Sequence, residues 1–369
     1  MQMKFKSRYF YISAAAFIVI SAAAGFAEYL SYARTYARKT PRIVRKLKPA
    51  GLMPRPRSFK PFNCKGATVF ACAVKYLHYL HYLPVSRTGK RLYEFSFPAP
   101  RILKSIADSY AWNPQNPFVL GAAVQYLEVS GKLRDGDNAR PEINAALLSE
   151  LKKSAANKEF DPYPWKWVLV RQAMKGEKVE LYENGRRVFS SPANTGEFAT
   201  TPEGTWYVYL RFHSTTMSGL SPSRISSKVY KSLKSKHPSS VGCLDGHPVK
   251  WVAYDDSGIK YVDYFNGGMA LHYIFRLRYG FPQSAGCVEL PRVGAKFLHK
   301  NIGYGTIVTV YGVAESAAAK KSDDADASAA DACIKPQAHT PNPRPRPRPL
   351  PQPQVGKQAK QQLVSQNKN

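Results

Sequence analysis

Acidic residues are scarce in this chain: 25 Asp and Glu stand against 54 Lys and Arg, a formal net charge of +29. Such an excess implies acidic surroundings, and nucleic acid, anionic lipid and anionic cell-wall polymers all qualify. Cysteine is scarce too. The five present, Cys64, Cys72, Cys243, Cys287 and Cys333, contain no Cys-x-x-Cys pair. A redox dithiol and a zinc ribbon therefore have no support, and in an exported protein an odd count leaves a free thiol or an intermolecular bridge. Zinc-finger and basic-zipper spacings are also missing, and the basic residues are scattered, which argues against nucleic acid as the partner. His78 and His81 stand three apart, but no carboxylate or further histidine lies near at ligand spacing, so a packed or interfacial helix is the better reading.

What is present begins with the N-terminus. Lys4, Lys6 and Arg8 precede an apolar run over residues 9–24 that ends in small residues. This is the outline of an export signal; continued to about Ala27, the run is just long enough to span a bilayer if it is not cleaved. The basic flank places the N-terminus inside and the body outside the cytoplasmic membrane. Residues 1–28 are thus a signal peptide or anchor. Residues 29–100 follow as a basic, proline-interrupted linker and an aromatic helical segment over 70–83 that Pro84 ends.

Residues 101–160 carry a helix–loop–helix pattern, with Gly131 closing the first helix and Pro141 at the first position of the second. From Trp165 the pattern becomes short strands: 167–170, 179–182, 188–190, 205–210, 250–254, 261–265 and 305–311. An Asn184-Gly185 hairpin turn lies among them. Many short strands and few helices predict a mainly β domain over 161–314, a sandwich or barrel, with one helix near 293–300. Residues 315–369 end in a Pro/Arg/Gln-rich tail that cannot bury a core and reads as disordered or polyproline II.

The chemistry concentrates in Gln283-Ser284-Ala285-Gly286-Cys287-Val288-Glu289-Leu290, fifteen residues downstream of His272. A histidine and a cysteine in one short span are what thiol catalysis needs, because imidazole takes the thiol proton and thiolate is the nucleophile. Gly286 allows a sharp turn whose N–H groups can face a developing oxyanion.

These residues carry a resemblance. The span from Trp165 to about Gly312 resembles the L,D-transpeptidase (YkuD) catalytic domain. The matching parts are Val168-Leu169-Val170 with its hairpin, Asn194-Thr195-Gly196, Thr201-Pro202-Glu203-Gly204, Leu271-His272, and Ser284-x-Gly286-Cys287-Val288. Residues 122–147 resemble, in part, a peptidoglycan-binding helical repeat, and a generic helical hairpin fits them as well. Three positions depart from the family pattern. Ala285 stands where His is usual, Glu289 where Arg often follows the Cys-Val pair, and Tyr273 where Gly is frequent.

The resemblance implies a YkuD-like β-sandwich and a peptidoglycan L,D-transpeptidase forming 3→3 cross-links from stem peptides. In it Cys287 is the nucleophile and His272 the base. Gly286 and Ser284 support the oxyanion site and the turn. Tyr273, Tyr279, Phe281 and Glu289 are candidate substrate contacts. No metal or organic cofactor is implied. Hydrolysis of the thioester, transfer to a protein lysine, and an inactive wall-binding protein that uses the basic segments remain as alternatives.

Overall fold

The computed structural model describes residues 60–84 and 113–312, to which every structural statement below refers. The expected export segment (1–28), basic linker and C-terminal tail lie outside them. No described helix is long and apolar enough to cross a membrane.

Three helices come first: α1 (Val69–Tyr79), α2 (Pro117–Val129) and α3 (Ala145–Asn157). Asn116 caps α2 by accepting from the N–H groups of Phe118 and Val119, with Pro117 in the first turn where its missing N–H costs nothing. Two helix boundaries differ from expectation. Pro141 does not open the second helix; Asn144 does, accepting from Leu147 N at 3.0 Å, because an Asx side chain supplies an acceptor that proline lacks. The first helix stops at Tyr79, before Pro84. His81 turns the chain at φ 72°, and the N–H groups of Tyr82 and Leu83 both go to Leu77 O. A disulfide joins Cys64 and Cys72 at the entrance to this helix.

The strands are β1 (Lys166–Gln172), β2 (Lys178–Glu183), β3 (Arg186–Pro192), β4 (Gly204–Tyr207), β5 (Leu210–Arg224), β6 (Val241–Leu244), β7 (His247–Asn266), β8 (Met269–Tyr273), β9 (Val288–Leu290) and β10 (Ile307–Gly312). The helix α4 (Ser227–Lys236) lies between β5 and β6, and α5 (Arg292–Asn301) follows β9. One sheet runs β3-β2-β1-β10-β4 and the other β5-β7-β8-β9, with β6 beside β7. This is the expected mainly β architecture, built as two packed sheets after a helical region.

The unbroken apolar run Trp167-Val168-Leu169-Val170 is explained by burial of both its faces. Val168 and Val170 meet Leu271, Val288 and Leu290 of the second sheet, with Leu298 of α5, in the inter-sheet core. Trp167 and Leu169 point the other way, into a core shared with Leu77, Phe118 and Leu151 of the three helices. A strand covered on both faces does not alternate. The helical segment therefore shares a core with the sheet.

Two strand expectations are revised. Residues 205–210 are not one strand: the chain crosses from one sheet to the other at Val208 and Tyr209, whose N–H groups go to Thr306 O and Tyr264 O. Residues 250–254 and 261–265 are not two strands either. They belong to the single strand β7, which absorbs register shifts around Gly258 and Tyr261, both at positive φ. With β5 it forms a long two-stranded arm.

Candidate active site

Cys287 sits one residue before β9, on a loop that a neighbouring segment templates. Thr195 O accepts from the N–H groups of Gln283 and Ser284, and Asn194 exchanges backbone hydrogen bonds with Glu289. Thr201 Oγ1 accepts from Gly196 N and donates to Gly286 O, both at 2.8 Å. Thr195 is fixed in turn by buried Glu177, whose carboxylate accepts from its N–H and hydroxyl at 2.6 Å. Reading the sequence found the Thr195-Gly196 and Thr201 positions through the family pattern, but assigned no role to Asn194, Thr201 or Glu177.

Gly196 is where this template touches the loop. A Cβ there would lie 2.9 Å from Gly286 Cα and 2.9 Å from Thr201 N. Both are backbone atoms that no rotamer change can move, so Gly196→Ala is expected to cost about 1–3 kcal/mol as an overpacked contact. A thermal melt of the variant checks this. An unchanged melting temperature would show that the loop tolerates separation from its template.

The sulfur of Cys287 lies half-buried against Met217, Ile259 and Tyr264. It is the free cysteine among the described residues; Cys243 is disulfide-bonded. Burial pushes the Cys287 thiol up to about 11; the Ala270 backbone N–H opposes the shift and the Glu289 charge adds to it. His272, on β8, is buried with its Nδ1 lacking a hydrogen-bond partner. Burial lowers its pKa, against the pull of Glu289 and of the Tyr273 backbone. The resting pair is therefore a neutral thiol and a neutral imidazole.

This has a direct readout. Thiolate fraction sets alkylation rate, so at pH 8 Cys287 should react with iodoacetamide about a hundredfold or more slowly than a free cysteine of pKa about 8.5. The rate should still be climbing at pH 10. Peptide mapping at Cys287 against pH measures it, and an inflection at or below pH 8 would mean a resting thiolate–imidazolium pair.

Cys287 and His272 line one open cleft, together with Ser284, Ala285, Arg276 and Glu289 on one side and Met217, Ser221, Tyr254, Asp256 and Ile259 of the β5–β7 arm on the other. The other candidates are placed differently from one another. Ser284 braces the turn: its Oγ donates to Cys287 O at 2.6 Å and accepts from Gly286 N at 3.0 Å. The Gly286 N–H is thereby used internally and does not face the cleft as an oxyanion donor, although the glycine does supply the turn, at φ 138°. Glu289 is buried and does not face solvent. It lies opposite His272 in the β8–β9 register and receives both Nε and Nη2 of Arg276, at 2.8 and 2.6 Å.

Tyr273, Tyr279 and Phe281 are not on the cleft wall. Tyr273 packs on the inter-sheet core, and the Tyr279 hydroxyl ties Arg276 N to Ile274 O, so these two tyrosines serve packing and the loop. Arg276 and Asp256 do line the cleft and had no signal in the sequence beyond their charge. His78 and His81 form no metal cluster with other residues of the described chain, and the His81 ring rests against Phe160.

Residues 166–310 match the family model of the L,D-transpeptidase catalytic domain (YkuD), as the sequence motifs implied. Solved structures similar to the chain include an L,D-transpeptidase from Mycobacterium smegmatis, 14% identical over 40% of this chain and 59% of that one, with a TM-score of 0.26. The catalytic domain of the Enterococcus faecium L,D-transpeptidase is 19% identical over 41% of this chain and all of that one, TM-score 0.28. An L,D-transpeptidase from Stackebrandtia nassauensis is 16% identical over 72% of this chain and 100% of its own, TM-score 0.27. The chain thus spans under two thirds of the length of the mycobacterial protein. No curated protein matches it.

Proposed function

We propose that the protein is a cysteine-dependent L,D-transpeptidase that acts on peptidoglycan stem peptides outside the cytoplasmic membrane. The observation that carries this reading is the shared cleft of a free Cys287 and a buried His272, on a domain that matches the YkuD model. Cys287 attacks the carbonyl of the third stem residue as His272 takes the thiol proton. The tetrahedral intermediate collapses, His272 returns the proton to the leaving amine, and D-alanine departs from a thioester.

A diamino-acid side-chain amine of a second stem then resolves the thioester to a 3→3 cross-link. Because Gly286 N–H is engaged within its turn, we assign the oxyanion to the backbone N–H of Cys287; one such donor is worth about 3 kcal/mol of transition-state stabilisation. The basic excess suits an anionic wall or membrane surface.

The test is mass spectrometry of disaccharide-tetrapeptide incubated with the protein. D-alanine release with a cross-linked dimer supports transpeptidation. Release without dimer, even with acceptor amine supplied in excess, would turn the assignment to an L,D-carboxypeptidase. A specific observation favours a second reading, an inactive wall-binding protein: the thiol at about 11 is poorly poised to ionise. Unchanged substrate with retained binding to isolated cell wall would establish that reading instead.

A further inference from the structure

The cleft carries three charged side chains, and two of them neutralise each other. Arg276 gives both Nε and Nη2 to Glu289, so its guanidinium is already committed. Cys287 and His272 are neutral at rest. The third charge is Asp256, on the arm wall opposite the cysteine loop. It is exposed, pairs with Met217 across the arm, and is engaged by no ion pair among the described residues. Its charge is felt by both His272 and Arg276, which places it within electrostatic reach of the reacting groups. A chain of net charge +29 thus keeps one unmatched negative charge in its cleft.

We infer that Asp256 is the specificity-determining residue for the acceptor: it holds the primary ammonium of the incoming amine and favours it over water. This rests on the transpeptidase reading and narrows it. An amine of lysine type is almost wholly protonated at neutral pH, so the acceptor arrives as a cation. A carboxylate beside the thioester raises its local concentration and orients it by charge-assisted hydrogen bonds. The ammonium then loses two protons as the C–N bond forms and the C–S bond breaks. One leaves to solvent through His272, and the other ends on the sulfur of Cys287. The acyl carbon passes from sulfur to nitrogen with no redox change.

Tyr254 stands two residues earlier on the same face of the arm and lines the cleft with it. The adjacent Asp255 has the same charge but points to the other face, away from the cleft, and is exposed. It provides a matched control.

The experiment follows tetrapeptide donor with a lysine-containing stem acceptor, using wild type, Asp256→Asn, Asp256→Glu and Asp255→Asn. The readouts are the Cys287-linked acyl-enzyme by intact mass, D-alanine release, and the ratio of cross-linked to hydrolysed product. In Asp256→Asn the acceptor KM should rise about tenfold or more and the product ratio fall by a similar factor, while the acyl-enzyme still forms. Asp256→Glu should recover part of the ratio, and Asp255→Asn should match wild type. A product ratio in Asp256→Asn equal to wild type, with acyl-enzyme present, would overturn the inference and leave the transpeptidase reading standing. Absence of a Cys287 adduct in the wild type would overturn both.

Discussion

Replacing Cys287 by alanine is expected to abolish D-alanine release and cross-linking altogether while leaving the melting temperature within a few degrees of wild type. The two halves of this expectation have different grounds. For activity, the sulfur is the free thiol among the described residues and it lies on the cleft wall. Ser284, the nearest hydroxyl in sequence, is committed to holding the turn. For stability, the thiol makes no strong bond: its contact with Gly268 O is at 4.0 Å, the Ala270 backbone N–H is its other polar neighbour, and it packs on the apolar cluster of Met217 and Ile259. A half-buried sulfur traded for hydrogen costs about 1 kcal/mol or less in packing, a shift of a few degrees for a domain of this size.

The comparison with His272→Ala sharpens the result. Removing a general base should slow acylation by about two to four orders of magnitude, yet leave Cys287 able to form an adduct slowly. Intact mass spectrometry after prolonged incubation separates the cases: no adduct in Cys287→Ala, a late adduct in His272→Ala. Turnover in Cys287→Ala at the wild-type rate would sink the assignment of the nucleophile.

The parts of this molecule legible in the sequence are those where local chemistry and tertiary packing agree. The Asn184-Gly185 turn needs positive φ at both residues and has it, at 45° and 79°. The strand 167–170 is apolar throughout because both its faces are covered. Elements that leave the core were illegible. The arm strand β5 is written largely in Ser, Thr and Gly beyond Phe212, with little apolar alternation, because most residues of that stretch are exposed. In α4 only Tyr230 is buried, so its lysines and serines offer no periodic signal.

At the site, Cys287 and His272 could be named from a motif, whereas the partner of Glu289 could not. Arg276 lies on a loop thirteen residues earlier, and nothing local couples the two. The reversed charge at Glu289, a departure from the family pattern in the sequence, is answered in three dimensions by that guanidinium.

That pair supports the second large effect. Arg276→Met is expected to destabilise the fold by about 3 kcal/mol and to depress activity, because it strands a buried carboxylate directly across from His272. The guanidinium is itself one-third exposed, which puts the cost toward the lower end of what breaking a buried pair incurs. Its loss also changes the base. Arg276 lowers the His272 pKa and Glu289 raises it, so without the arginine the imidazole shifts upward and holds its proton to higher pH. The acidic limb of the pH–rate profile, where protonated His272 cannot accept the thiol proton, should move to higher pH in this variant.

Glu289→Gln should move the same limb to lower pH. The double variant Arg276→Met with Glu289→Gln is therefore the decisive construction: it removes both charges at once and leaves no buried ion unpaired. Its stability should exceed that of Arg276→Met alone, a non-additivity of about 1–3 kcal/mol in the double-mutant cycle. Denaturant titration of the four proteins measures the coupling, and the pH–rate profiles measure the effect on His272. Strict additivity, with the acidic limb unmoved in both single variants, would mean that the pair holds neither the loop nor the base.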